Sequence, residues 1–196
     1  MRLVISGVPD GLEKALGAAF GDLSDEGPDV CVVGTGMSPV IGFLEIEPSQ
    51  WAPLIAAVRE ASFVAQEVAA SALAEGRSAR LIFISSPTAV RPIEKLSLSG
   101  IGGAFLTTIA RVAAAELGPQ GITANVVVPG WTEETAPADL VRDIPAGRYA
   151  TPEEVAEVCV FLASPGAAYV TGATIVVDGG FTISKGAGAN PLLGSR

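Results

Sequence analysis

Leu81-Ile82-Phe83-Ile84-Ser85-Ser86, then Ser99-Gly100-Ile101-Gly102-Gly103-Ala104-Phe105, then Glu116-Leu117 and Gly121-Ile122-Thr123-Ala124-Asn125 form the stretch on which the fold turns. A continuous apolar run ending in two serines reads as a buried strand that stops at a polar edge. A loop follows, then a long helix pattern, then a second strand. This is how a parallel sheet builds a site at the carboxyl ends of its strands. Yet the start of the helix, where proton-transfer groups are expected, carries Ser99, Gly100, Gly102 and Gly103.

Upstream, Arg2–Ser6 reads as a strand, Gly7-Val8-Pro9-Asp10-Gly11 as a turn, and Leu12–Phe20 as a helix with Leu12, Ala15, Leu16 and Ala19 in one stripe. Strand, glycine turn and helix is the opening of a dinucleotide-binding unit, in which glycines admit a pyrophosphate to the helix N-terminus. Here the spacing is Gly7-x-x-x-Gly11, and Glu13 stands where a third glycine would fall. A carboxylate beside a pyrophosphate repels it. A polar loop from Gly21 to Pro28 leads to the strand Val30–Val33. Only eight residues separate Phe20 from Asp29, too few for a further strand and crossover helix. The adenosine half of a dinucleotide site therefore has no chain from which to form.

From Pro48 a helical pattern runs through Trp51, Leu54, Ile55, Val58, Ser62, Ala65, Ala69 and Ala72, with Ala56, Phe63 and Val64 on its other side. The helix after Ser99 is equally mild, with Arg111 and Glu116 as its charges among many alanines. A helix lying on a sheet needs one apolar stripe. Two helices apolar nearly all round imply a second partner, another subunit. Downstream come the strand Thr123–Val128, an acidic loop from Trp131 to Arg148, a helix from Thr151-Pro152-Glu153-Glu154 to Ala163, and a final strand ending Val177-Asp178-Gly179-Gly180. Thr151 and Glu154 form a capping box with Pro152 in the first turn. Residues 1–183 read as one domain and 184–196 as a loose tail.

Composition limits the function. The chain has 196 residues, enough for one full core, and a formal net charge of −9 that offers no basic patch to nucleic acid or an anionic membrane. Mean hydropathy is +0.48 with only 6% aromatic residues, an apolar excess that favours an oligomer. The sequence contains no histidine, so the commonest general base is missing and a zinc site is not expected. No apolar stretch is read as reaching the roughly 18–20 residues of a membrane span. Cys31 and Cys159 sit in apolar segments and read as buried packing residues of a reducing compartment, which points to the cytoplasm. Adjacent carboxylates at Glu133-Glu134 and Glu153-Glu154 do not converge on one point and read as solvated-loop and capping residues.

In combination, Ile84-Ser85-Ser86, Glu116-Leu117 with Gly121–Trp131, Thr151–Ala156, and Tyr169-Val170-Thr171-Gly172 with Val177–Gly180 make the chain resemble the short-chain dehydrogenase/reductase family over nearly its whole length. The resemblance implies an α/β fold, a three-layer Rossmann-like parallel sheet, truncated so that it lacks the family's second and third strands and their helices. It places Ser86 at the catalytic serine, thirteen residues before Ser99, which stands where the family has its tyrosine. Gly103, four residues on, stands at the lysine, and Val58 at the asparagine. Gly34-Thr35-Gly36 replaces an Asn-Ala-Gly motif, and Glu134, beside Thr135, replaces a threonine that holds the nicotinamide amide. Only Ser86 matches, and a serine hydroxyl without a lysine cannot act as an activated phenol.

The expected reading is therefore a chain with no catalytic residues, no bound cofactor beyond the remnant glycines Gly7 and Gly11, and no metal. The family's subunit contacts map onto helices 48–74 and 99–117 and the 152–178 region, all preserved. They imply assembly with an active homologue that supplies NAD(P), as a non-catalytic subunit of an alcohol dehydrogenase or ketoreductase. The alternatives are a small-molecule-binding regulatory protein, with the hollow near Ser86 and Gly103 as its site, and a divergent oxidoreductase with relocated catalytic groups.

Overall fold

A computed structural model describes residues 2–21, 27–136 and 140–184. Five strands, β1 (Leu3–Ser6), β2 (Asp29–Val33), β3 (Ala79–Ile84), β4 (Thr123–Pro129) and β5 (Thr174–Val177), pair in parallel in the order β1-β2-β3-β4-β5. Val30–Val33, Leu81–Ile84 and Ala124–Val128 are buried on both faces, as a sheet covered by helices requires. Ser6 lies opposite Val33, so β1 pairs directly with β2 where the family would reverse its strand order. The two absent strands of the sequence reading are thus absent from the sheet. The tail assigned to 184–196 lies outside the described residues apart from Ser184.

The helices are α1 (Asp10–Gly21), α2 (Pro48–Ala74), α3 (Ser97–Leu117) and α4 (Pro152–Ala163). Alternation along the strands sorts them onto two faces. Val30, Val32, Ile82, Ile84 and Val127 pack with Leu12, Leu16 and Phe20 of α1 and Val155, Cys159 and Leu162 of α4. Cys31, Val33, Leu81, Phe83 and Val126 pack instead with Ala61, Ala65, Ala69 and Ala72 of α2 and Leu106, Ala110 and Ala114 of α3. In a sheet that advances in one direction, crossovers of one hand would put every helix on one face. The α1 and α4 connections therefore have the opposite hand to those of α2 and α3, against a rule that one hand nearly always obeys. For α1 this follows from its direct connection of β1 to β2 without the two further strands.

The same arrangement keeps an opening at the sheet edge. Chain leaving β1 turns to one face and chain leaving β2 to the other, so their loops part above the strand ends. The loops after β3 and β4 part likewise. Such divergence is the physical basis of the crevice normally found where strand order reverses.

Several boundaries differ from the sequence reading. α1 begins at Asp10, because Glu13 N already donates to Pro9 O and closes the first turn. α3 begins at Ser97, and a short 3₁₀ turn at Phe43–Glu45 interrupts the loop before α2. Thr151 Oγ1 accepts from Glu154 N and the Glu154 carboxylate accepts from Thr151 N, the expected capping box. The segment Ser97–Gln120 does have the length and apolar composition of a membrane-crossing helix, contrary to the expectation of none. In the fold it lies on the sheet through Leu106, Ala110 and Ala114.

Candidate functional site

The carboxyl ends of β1 to β4 surround one cavity of about 200 Å³. Its floor begins where the loops after β1 and β2 touch. Gly7, at φ +66°, and Gly34 face one another so closely that a side chain on either would strike the other's carbonyl oxygen. Gly34 N donates to Ser6 O at 2.9 Å and Gly36 N to Gly7 O at 2.7 Å. The Gly34-Thr35-Gly36 segment is thereby tied to the first turn.

Next to it lies a group of hydroxyls. Ser86 caps the short turn Pro87–Ala89, its Oγ accepting from Thr88 N at 3.2 Å. That Oγ is also 2.7 Å from Thr88 Oγ1 and 2.8 Å from Ser99 Oγ. Ser86 and Ser99, thirteen residues apart in sequence, are brought into direct contact. Gly103 sits one turn further along α3 and is buried. A Cβ there would lie 2.5 Å from Ser85 Oγ, 2.8 Å from Ser86 N and 3.0 Å from Ala89 Cβ, so α3 packs against the loop at a distance only glycine permits. Val58, half-buried on α2, is not part of the cavity wall. Its carbonyl accepts from Ser62 Oγ at 2.7 Å.

The far wall comes from the loop after β4. Gly130 N donates to Val177 O at 2.7 Å, and Trp131 is buried edge-on to Phe181 with ring centroids 6.2 Å apart. Thr132 and Thr135 share a hydroxyl contact of 3.0 Å, and Thr135 Oγ1 accepts from Thr132 N at 3.0 Å. This turn aims Glu134 across the cavity, where its Oε2 accepts from Gly11 N at 3.1 Å. Glu133 and Glu134 are both exposed, and Glu134 meets the first turn of α1 by accepting from one of the helix's free amides. Glu13, expected to be the carboxylate facing that position, is exposed on α1. The first turn of α1 thus holds Asp10 and Glu13 of its own and Glu134 from 123 residues away.

Chemically, the described wall offers hydroxyls that can bind and orient, apolar surface from Leu12, Ile84 and Val155, and a single ionisable side chain, Glu134. The two thiols lie elsewhere in the core, where burial pushes both Cys31 and Cys159 up to about 12 and keeps them neutral. Of the residues singled out in the sequence, Gly7, Gly34, Thr35, Gly36, Ser86, Ser99, Glu134 and Thr135 reach the cavity wall. Thr88 and the Thr132–Thr135 turn were not foreseen. Pro129-Gly130-Trp131 and the placement of Glu134 beside Thr135 were the available signals for that wall. The Gly11–Glu134 contact leaves no trace in local sequence.

A parallel sheet with helices on both faces and a cavity over its carboxyl edge defines a Rossmann-like α/β protein. Residues 11–182 match the family model described as enoyl-(acyl carrier protein) reductase. The chain belongs to the short-chain dehydrogenase/reductase family. It is 32% identical over 194 residues to the 3-oxoacyl-[acyl-carrier-protein] reductase MabA of Mycobacterium avium, covering 89% of this chain and 76% of that protein. It is 30% identical over 189 residues to the inactive 2-(S)-hydroxypropyl-CoM dehydrogenase 2 of Xanthobacter autotrophicus, covering 88% and 77%. In fold it is similar to the acetoin dehydrogenase of Salmonella typhimurium, with a TM-score of 0.80 at 22% identity over 94% of this chain and 98% of that one.

Proposed function

We propose that this chain is a non-catalytic subunit that assembles with an active dehydrogenase of its own family. The partner binds NAD(P) and acts on a hydroxyacyl-CoA or a similar alcohol or ketone. The observation that carries this reading is Gly103. It stands where the family resemblance puts a lysine, and its Cβ would approach Ser86 N to 2.8 Å, so the backbone itself has closed over the space a lysine would need. The hydroxyl of Ser99, where the resemblance puts the tyrosine, contacts Ser86 but no basic group.

The fit to a dinucleotide is poor in the same region. The Gly11 amide that could receive a phosphate oxygen already donates to the Glu134 carboxylate, and among the described residues no cationic side chain lines the cavity. A pyrophosphate placed there would meet like charge at short range. Ile55, Phe63, Phe105 and Val112 on α2 and α3 are exposed, as are Phe161, Tyr169 and Val176 near α4 and β5, which supports burial against other subunits. The likeness to a dehydrogenase named inactive points the same way. The degenerate subunit of the heteromeric 2-[hydroxy(phenyl)methyl]succinyl-CoA dehydrogenase of anaerobic toluene degradation resembles this arrangement.

Native mass spectrometry after co-expression with neighbouring family members tests the proposal. Recovery of a mixed oligomer is expected. A homo-oligomer that turns over ketones with NADH or NADPH would overturn the reading and favour a divergent active oxidoreductase, the direction in which the mycobacterial reductase points. The Ser99→Tyr, Gly103→Lys double variant is expected to remain inactive. A second reading, a small-molecule-binding regulatory protein, is favoured by the cavity itself, which persists although its wall carries no proton-transfer pair.

A further inference from the structure

We propose that the cavity at the carboxyl edge of the sheet is a binding site for a small organic cation, with Glu134 as its counter-ion. The charge of the wall decides the class of ligand. Among the described residues that line it, Glu134 is the only one that ionises, and no lysine or arginine is among them. The carboxylate is held in position, because Oε2 accepts from Gly11 N at 3.1 Å. Oε1 has no hydrogen-bond partner among the described residues and is left to receive a donor. The positive end of α1 does not cancel this charge, since Asp10 and Glu13 already occupy its first turn.

The remainder of the wall suits an ammonium group carried on an apolar body. Ser99 and Thr135 supply oxygens that accept from N–H donors, while Leu12, Ile84 and Val155 supply an apolar floor. A volume of about 200 Å³ is below the roughly 300–1,000 Å³ of sites for drug-sized ligands and far short of a dinucleotide. The site therefore takes a fragment-sized amine and rejects a carboxylate or phosphate of the same size. This inference needs no partner subunit and stands or falls separately from the assembly reading.

The test uses three near-isosteres, benzylamine, benzyl alcohol and benzoate, titrated into the full chain and followed by calorimetry and amide chemical shifts. Opposite charges about 4 Å apart gain about 1 kcal/mol in water, or about fivefold in affinity, and more where walls exclude water. Benzylamine should therefore bind at least about fivefold tighter than benzyl alcohol, and benzoate should not saturate. Glu134→Gln, an exposed isosteric change, should bring benzylamine down to the affinity of benzyl alcohol without altering the latter. Ser99→Phe, which fills the cavity from α3, should abolish both. Saturable benzoate binding, equal affinity for amine and alcohol in the wild-type chain, a preference that survives Glu134→Gln, or no saturable binding of any probe would each overturn the proposal.

Discussion

The two helical layers of this sheet are built from different materials. On one face α1 and α4 bury large side chains, with Leu16 and Leu162 almost wholly inaccessible and Phe20 beside them, and the helices close over the strands and over each other. On the other, α2 and α3 meet the sheet mainly through alanines, with Leu106 the one large side chain fully buried in that cluster from these helices, while Ile55, Phe63, Phe105 and Val112 point outward. A groove of about 500 Å³ remains between them, with Leu81 and Phe83 at its floor. The first layer is finished within one chain. The second buries Leu54, Leu98 and Leu106 but leaves several other large apolar groups on the outside. Alanine contacts let a helix approach the sheet closely but bury little area per residue, so this layer contributes less to the isolated fold.

That contrast can be broken most directly in the closed layer. Leu16→Ala removes a side chain of 0% exposure and leaves a cavity between α1, α4 and the strands. A loss of about 2–5 kcal/mol is expected, read as a lower midpoint in urea with an unchanged slope. A loss under about 1 kcal/mol would mean that this face repacks freely and is not the finished one.

The next effect tests the seam between the open layer and the cavity. Gly103→Ala places a methyl group 2.8 Å from Ser86 N and 2.5 Å from Ser85 Oγ. Overpacking of this kind costs about 1–3 kcal/mol. A smaller drop in thermal midpoint than for Leu16→Ala is expected, together with shifted amide resonances at Ser85 and Ser86. A neutral result would show that α3 can retreat from the loop, and that the space for a lysine is not closed at all.

Much of this organisation was legible in the chain. The runs Val30–Val33 and Leu81–Ile84 are apolar at every position, and Ala124–Val128 at every position but Asn125, because each is covered on both sides, and such runs announce parallel strands. The eight residues between Phe20 and Asp29 excluded the missing strands by length alone. Pro129-Gly130 and Asp178-Gly179-Gly180 marked turns whose geometry is local, with Asp178 Oδ1 accepting from Gly180 N at 2.8 Å. What was illegible depends on three dimensions. Which face each helix takes, and hence the hand of its crossover, follows from how α1 and α4 pack together. The reach of Glu134 to Gly11 joins positions 123 residues apart. The closeness of Gly103 to Ser86 is a packing distance, whereas the sequence shows only a glycine.

A smaller effect is expected at the opposite, amino-terminal edge, where the end of α2 is anchored to the starts of β1 and β2. Asp29 is buried, pairs with Arg77 and accepts from Arg2 N at 2.8 Å, while Arg2 and Arg77 both also hold Glu75 at the end of α2. Burial acts to raise the Asp29 carboxyl, but the Arg77 hydrogen bond, the Arg2 amide and both guanidinium charges outweigh it and hold it below its ordinary value of 3.8. A carboxyl depressed on folding stabilises the fold above its unfolded value, and that contribution is lost as pH falls through the folded one. Wild-type stability should therefore decline as pH drops below about 4. Asp29→Asn should be less stable at pH 7 and show a shallower decline, measured as thermal midpoints across that range. A parallel decline in both proteins would remove Asp29 from the account.

The smallest effect on the isolated chain carries the comparison furthest. Val112→Lys alters an exposed position of α3 that lines the open groove, four residues before Glu116. Lysine forms helix at least as well as valine, and its charge sits within reach of Glu116, so the fold should change by no more than about 0.5 kcal/mol. If the open layer is an assembly surface, the same charge would be buried without a partner in the complex, at a cost that prevents association. The thermal midpoint of the purified chain should stay put, while its sedimentation coefficient in co-expressed material falls to that of a smaller species. If the midpoint itself collapses, α3 already completes its packing within this chain. An unchanged midpoint with unchanged sedimentation would leave α2 and α3 facing water by design, and the alanine-lined layer would then be a feature of folding rather than of assembly.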